Sequence, residues 1–172
     1  MARVRLRPSQ PGDLAFVTAL ERDAENRKII GQWSDEQHLA AMRGEADRWH
    51  SIIERDGEPA GYLIAYDCRA AGVGGVYLKR VLVGDKERGT GKAAVGSFVA
   101  QTFARLAPEF IWLNVYDHNA RAQAVYLGLG FRHYFPGDEE AERLTAAAEA
   151  PHASAHRMRI DRNNDQLEEK TR

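Results

Sequence analysis

Val81-Leu82-Val83-Gly84-Asp85-Lys86-Glu87-Arg88-Gly89-Thr90-Gly91-Lys92-Ala93 is an apolar run that passes, through one short glycine-bearing loop, into a helical stripe. Val81-Leu82-Val83 is too apolar for a half-exposed strand, so the spacing predicts a strand end buried on both faces. Beyond Gly91, the residues Val95, Phe98, Val99, Phe103 and Leu106 recur at helical spacing, and Pro108 stops the helix. A strand that runs through glycines into a helix is the arrangement of an anion cradle. The first amides of a helix are unpaired and partly positive, and glycine lets an anion approach without a Cβ in the way. Arg88 and Lys92 add charge. A P-loop is excluded, because Gly84 to Gly89 has the right spacing but Thr90 stands where lysine is needed. The dinucleotide fingerprint is excluded too, because Gly89-Thr90-Gly91-Lys92-Ala93-Ala94 lacks the third glycine.

Outward from this loop the chain alternates strands and helices. Val4 to Arg7 reads as a first strand. Pro11-Gly12-Asp13 opens a short helix carrying Leu14, Val17 and Leu20 and ending near Asn26. Ser34 with Gln37 forms a capping box before Leu39, Met42, Ala46 and Trp49, which recur at helical spacing. Ser51 to Glu54 and Gly61 to Tyr66 form a hairpin about Asp56-Gly57, and Val76 to Val83 is the strand that enters the loop. Phe110 to Val115 is a short buried strand. Asn119 caps a helix with Val125, Tyr126 and Leu129, which Gly130 ends. Phe131 to Phe135 and Ala155 to Ile160 are the last strands, flanking an acidic, alanine-rich segment at 136–151 that reads as an extra surface helix.

The 172 residues suit one domain over 1–160 with a polar tail at 161–172. A formal charge of -1 without a dense basic run argues against nucleic acid as a partner. No stretch approaches the roughly 18 to 20 apolar residues of a membrane span, and the start at Met1 lacks a signal-peptide apolar segment, so the expected location is the cytoplasm with no membrane partner. Cys68 is the single cysteine, which leaves no intrachain disulfide, and the histidines lack metal-ligand spacing, so no metal is expected.

The loop resembles the Arg/Gln-x-x-Gly-x-Gly/Ala segment of the GNAT superfamily of N-acetyltransferases, with Lys86 where the family prefers Arg or Gln. A second block is similar to that family's Asn-x-x-Ala-x-x-x-Tyr-x-x-x-Gly-Phe segment: Asn119-Ala120-Arg121-Ala122-Gln123-Ala124-Val125-Tyr126, followed by Gly128-Leu129-Gly130-Phe131. Trp33-Ser34 and His38-Leu39 are more similar to the branch that includes ribosomal-protein N-terminal acetyltransferases. The resemblance implies an α+β (mixed α/β) fold with a central twisted mixed sheet of about six to seven strands, flanked by helices and splayed at the coenzyme A site.

It also implies a chemistry. Acetyl-CoA would be the co-substrate, held by the strand Val81, Leu82 and Val83, the loop Arg88, Gly89, Thr90, Gly91 and Lys92, and the Asn119 side chain. A primary amine, on a small molecule or a peptide N-terminus, would attack the thioester directly, with a main-chain amide near Leu82 polarising the carbonyl. Tyr126 would be the catalytic acid, since a phenol of pKa about 10 can protonate a thiolate whose acid has pKa about 8.5. Relatives often place a carboxylate on one of two central strands, where Tyr77 and Asn114 stand here, so no base is assigned. Glu21, His38, Asp117 and His118 are within plausible reach but read as solvated or capping side chains.

Trp33, Tyr77, Tyr116 and Tyr134 read either as core aromatics or as the lining of an acceptor groove, and Asp138, Glu139, Glu140 and Glu142 either as a solvated face or as an attraction for a cationic acceptor. A homodimer is left open. Besides an enzyme, the residues admit a coenzyme A-binding sensor without turnover, or an interaction module that uses the fold as scaffold.

Overall fold

The computed structural model describes residues 1–86, 88–149 and 155–162. Its elements are β1 (Val4–Pro8), α1 (Leu14–Arg22), α2 (Asp35–Met42), β2 (Arg48–Arg55), β3 (Glu58–Asp67), β4 (Gly75–Val83), α3 (Thr90–Leu106), β5 (Phe110–Tyr116), α4 (Ala120–Gly128), β6 (Arg132–His133), α5 (Asp138–Ala148) and β7 (Ala155–Asp161), with single 3-10 turns between some of them. Hydrogen bonds order the seven strands as β1-β2-β3-β4-β5-β7-β6. The sheet is mixed: β4 runs parallel to β5, while β1 with β2, β2 with β3, β5 with β7 and β6 with β7 are antiparallel.

The chain divides into two compact units, Met1–Tyr66 with Lys79–Phe98, and Asp67–Leu78 with Val99–Arg172. In the first, Val17, Ile52, Ile53, Tyr62, Leu63, Ile64, Leu82 and Val95 form the core. The second is built around Val76, Ile111, Trp112, Leu113, Leu144 and Met158. Bulky β-branched and aromatic side chains on the strands give both cores close packing.

The local signals for turns and caps hold. Ser34 Oγ accepts from the Gln37 amide at 3.2 Å while Gln37 Oε1 accepts from the Ser34 amide at 2.8 Å, so the capping box opens α2. Asp56 and Gly57 both take positive φ, 52° and 89°, as a two-residue hairpin turn requires. That turn is followed by a bulge. Ile53 pairs with Gly61 but Glu54 with Pro59, leaving Ala60 without a partner on β2.

Other expectations need correction. The first helix stops at Arg22 rather than near Asn26, because the Asp23 carboxylate accepts from the amides of Glu25 (3.0 Å) and Asn26 (3.3 Å) and turns the chain. Trp49 belongs to β2, not to the second helix. Gly44, Ala46 and Asp47 have φ of 75°, 53° and 55°, and this left-handed stretch breaks the helical period that Ala46 and Trp49 extend in sequence. The end of β4 is buried on one face only: Leu82 is buried, Val81 and Val83 are half-buried. The run Phe131 to Phe135 contributes just Arg132 and His133 to the sheet, and the Phe135 side chain is 84% exposed. Of the acidic segment expected at 136–151, Asp138–Ala148 folds as α5, while 150–151 and the tail from 163 onward lie outside the described residues.

Candidate active site

The glycine loop is held from both ends within the first unit. At its start the Gly84 amide donates to the carbonyl of Ala60, the bulged residue of β3, at 2.9 Å. At its end Gly89 adopts φ +73°, which an L side chain disfavours, and its carbonyl accepts the Ala93 amide at 3.0 Å as α3 begins. Gly89 supplies no capping side chain. Among the described residues, no side chain accepts from the first-turn amides of Thr90, Gly91 or Lys92. These amides are therefore open to an anion. Lys92 is exposed, and the Arg88 guanidinium lies 2.7 Å from the Asp85 carboxylate, which offsets part of its charge. Thr90 is buried, and Glu87 lies outside the described residues.

A second anchor had no signal in the sequence. Arg55, the last residue of β2, donates from one guanidinium nitrogen to the Arg88 carbonyl at 3.0 Å and to the Thr90 hydroxyl at 2.7 Å. A cavity of about 460 Å³ lies nearby in this unit, lined by residues of α1 and the following turn, among them Phe16, Leu20, Asp23 and Asn26, and by Gly84 and Lys86 of the loop.

In the second unit, Asn119 caps α4, its Oδ1 accepting from the Ala122 amide at 3.2 Å. Tyr126 lies on α4 with its ring 5.7 Å from that of Phe131. Desolvation pushes its phenol up to about 12, so at neutral pH it keeps its proton and is available as an acid and not as a base. On the two central strands, Asn114 Nδ2 donates to the Tyr77 hydroxyl at 3.3 Å, and the rings of Tyr77 and Trp112 are 4.3 Å apart. Neither strand position supplies a carboxylate. Asp117 Oδ1 lies 3.1 Å from His156 Nε2, and His118 stacks on Tyr116 at 5.3 Å.

Glu21 and His38, read from sequence as solvated or capping groups, are instead interior. Glu21 is 2% exposed and His38 0%. Glu21 Oε1 accepts from the Tyr62 hydroxyl at 2.5 Å and from the Arg80 guanidinium, and lies 3.1 Å from His38 Nε2. His38 Nδ1 meets His50 Nε2 at 3.1 Å, and His50 Nδ1 meets the Ser9 hydroxyl at 2.7 Å. Burial favours protonating Glu21, but His38, Tyr62 and Arg80 outweigh it and hold the carboxyl below its usual range. Burial first, and His38 second, pull His50 down to about 4. The aromatic groups divide as well: Trp33 stacks on Tyr66 at 6.4 Å with the Arg80 guanidinium 5.5 Å from its ring, and Tyr134 sits 6.3 Å from Phe110. Among the described residues, no cluster of three or more His, Cys, Asp or Glu is arranged to hold a metal, and no helix is long and apolar enough to cross a membrane.

Comparison with known proteins sets this geometry in a family. A search of the curated proteins finds no match. Among solved structures, the aminoglycoside acetyltransferase AAC(6')-Ib in complex with ribostamycin and coenzyme A superposes with a TM-score of 0.77 at 21% identity, covering 98% of this chain and 97% of that one. The spermidine N-acetyltransferase from Vibrio cholerae in complex with CoA and spermine gives 0.71 at 15% identity, covering 93% and 96%. At such identities the likeness is one of fold. The model of the acetyltransferase (GNAT) family matches residues 14–131, more than half of the chain and all of the glycine loop and α4, and the protein belongs to the GNAT acetyltransferase family.

Proposed function

We propose that this protein is an N-acetyltransferase that moves the acetyl group of acetyl-CoA to a primary amine by direct attack. The observation that carries the reading is the open first turn of α3, where a left-handed Gly89 and three uncapped amides offer a pyrophosphate site. Val81, Leu82 and Val83 would bond the pantetheine along the strand, Arg88, Gly89, Thr90, Gly91 and Lys92 would receive the phosphates, and Asn119 would add a polar contact while capping α4. Tyr126 would protonate the leaving thiolate. With a phenol raised to about 12 it stays protonated, and the proton transfer to the thiolate is then more uphill than from an ordinary tyrosine.

The acceptor is an amine on a small molecule or a peptide N-terminus. Solved relatives are described in complex with ribostamycin and with spermine, and the family reading extends an amine acceptor to this chain. A second reading is favoured by Tyr77 and Asn114, which supply no carboxylate on the central strands: a coenzyme A-binding sensor of the same fold. An acetyl-CoA titration of the thermal midpoint tests donor binding, because a ligand bound only by the folded state raises it. No shift at about millimolar acetyl-CoA would remove both readings. Thiol release on a panel of amines and N-terminal peptides then separates enzyme from sensor.

A further inference from the structure

Arg55 lies outside both motifs that mark the family resemblance, yet its guanidinium bonds the donor loop at two atoms. The hairpin explains how it gets there. The Asp56-Gly57 turn fixes Arg55 opposite Glu58, and the bulge at Ala60 shifts the register by one residue immediately beyond. In a strand a one-residue shift exchanges faces, so the bulge decides which side of the sheet each later side chain takes. The turn is itself pinned: the Asp56 amide donates to the Arg3 carbonyl and the Arg3 amide to Asp56 Oδ1, each at 2.8 Å. One hairpin thus holds the loop at its start, through Ala60 and Gly84, and at its end, through Arg55.

What Arg55 binds is chemically selective. The Arg88 carbonyl is an acceptor placed where the loop meets the helix and would repel an incoming phosphate oxygen, while the Thr90 hydroxyl can present either its proton or its lone pairs. By engaging the carbonyl and the lone pairs of the hydroxyl, Arg55 leaves the Thr90 proton to donate and places a permanent cation where the loop meets the helix.

We propose that Arg55 is a positioning residue that keeps the α3 first turn open for a phosphate group, and so makes the protein selective for a phosphorylated thioester donor. This deepens the donor reading above and rests on it. The test compares acetyl-CoA with S-acetylpantetheine, which carries the same thioester without phosphates, in wild type, Arg55→Met, Arg55→Lys and Thr90→Val. In Arg55→Met the KM for acetyl-CoA rises roughly tenfold or more with kcat within about twofold, the KM for S-acetylpantetheine stays within about twofold, and Arg55→Lys recovers part of the loss. Thermal shifts by acetyl-CoA give the same order for a variant without turnover.

Equal loss for both donors, or no loss for either, overturns the proposal. If Arg55→Met does not fold, Arg55→Lys decides the matter by the same two-donor comparison, and Thr90→Val shows how much of the effect passes through the hydroxyl alone. A wild type that binds acetyl-CoA while the variants bind it equally defeats this inference alone. A wild type that does not bind it defeats the donor reading and this inference together.

Discussion

His38 Nδ1 lies 3.1 Å from His50 Nε2, with both rings in the interior of the first unit. Two neighbouring imidazole nitrogens hold a single proton between them, so one must donate and the other accept. The groups at the two ends settle which. A proton on His38 Nε2 would face the Glu21 carboxylate at 3.1 Å, the tautomer that leaves His38 Nδ1 as an acceptor. His50 then donates from Nε2, and its Nδ1 accepts from the Ser9 hydroxyl. The line runs from one carboxylate to one hydroxyl, with the His50 ring neutral at pH 7.

A pH dependence of stability follows. Folded His50 titrates near 4, the unfolded ring near 6.5, so between those values the unfolded chain binds more protons. The contribution is complete above pH 6.5 and is lost as the pH falls towards about 4, in total about 3 kcal/mol. The depressed carboxyl of Glu21 acts in the same direction at lower pH, as its own folded value is crossed. Urea unfolding between about pH 7.5 and about pH 4.5 should show this loss, and His50→Gln should flatten it. Parallel curves for the two proteins would be incompatible with the assignment.

Removing the carboxylate strands its donors. Glu21→Gln places an amide among Tyr62, Arg80 and His38 and leaves a buried guanidinium without its anion, a loss of about 3 to 5 kcal/mol. Tyr62→Phe, which removes one donor of several, costs about 1 kcal/mol. Replacing Glu21 and Arg80 together by methionine costs less than Glu21→Gln alone, because the uncompensated charge is gone. Denaturant midpoints at neutral pH check all three, and a double variant weaker than the single one would count against the pair.

Gly61 has no room for a side chain. A Cβ there would stand 2.2 Å from the Leu82 carbonyl oxygen and 3.0 Å from the Val83 Cα, both backbone atoms of the strand end that enters the loop. Gly61→Ala therefore displaces that strand end, costs about 1 to 3 kcal/mol, and raises the KM for acetyl-CoA. A variant with unchanged stability and unchanged KM would show that β4 yields without consequence.

Tyr126→Phe tests the acid. The expected result is a fall in kcat of about 10² or more with the KM for acetyl-CoA within about twofold, measured by thiol release. An unchanged kcat would remove Tyr126 from the chemistry.

The parts legible in the sequence are those made by neighbours along the chain. The Ser34 box, the Asp56-Gly57 turn, the Gly89 bend and the Asn119 cap each depend on a few consecutive residues, and each forms as the spacing predicts. Trp49 was misplaced because its helical spacing from Ala46 and Met42 is real, but positive φ values at three intervening residues cancel it. Glu21, His38 and Arg55 escaped for a different reason: their partners lie on other elements, up to 59 residues away for Glu21 with Arg80. A charged residue looks the same in sequence whether it faces water or a buried counterion.

The first unit is discontinuous, closing Met1–Tyr66 with Lys79–Phe98 after an excursion through 67–78. Its central carboxylate sits in α1, while the guanidinium that neutralises it arrives with β4. On a ribosome, the segment up to Tyr66 is therefore made, and leaves the exit tunnel, before its own interior can be completed. Glu21 lacks its guanidinium partner until Arg80 follows, so the interior of this unit closes only with the strand that carries the glycine loop.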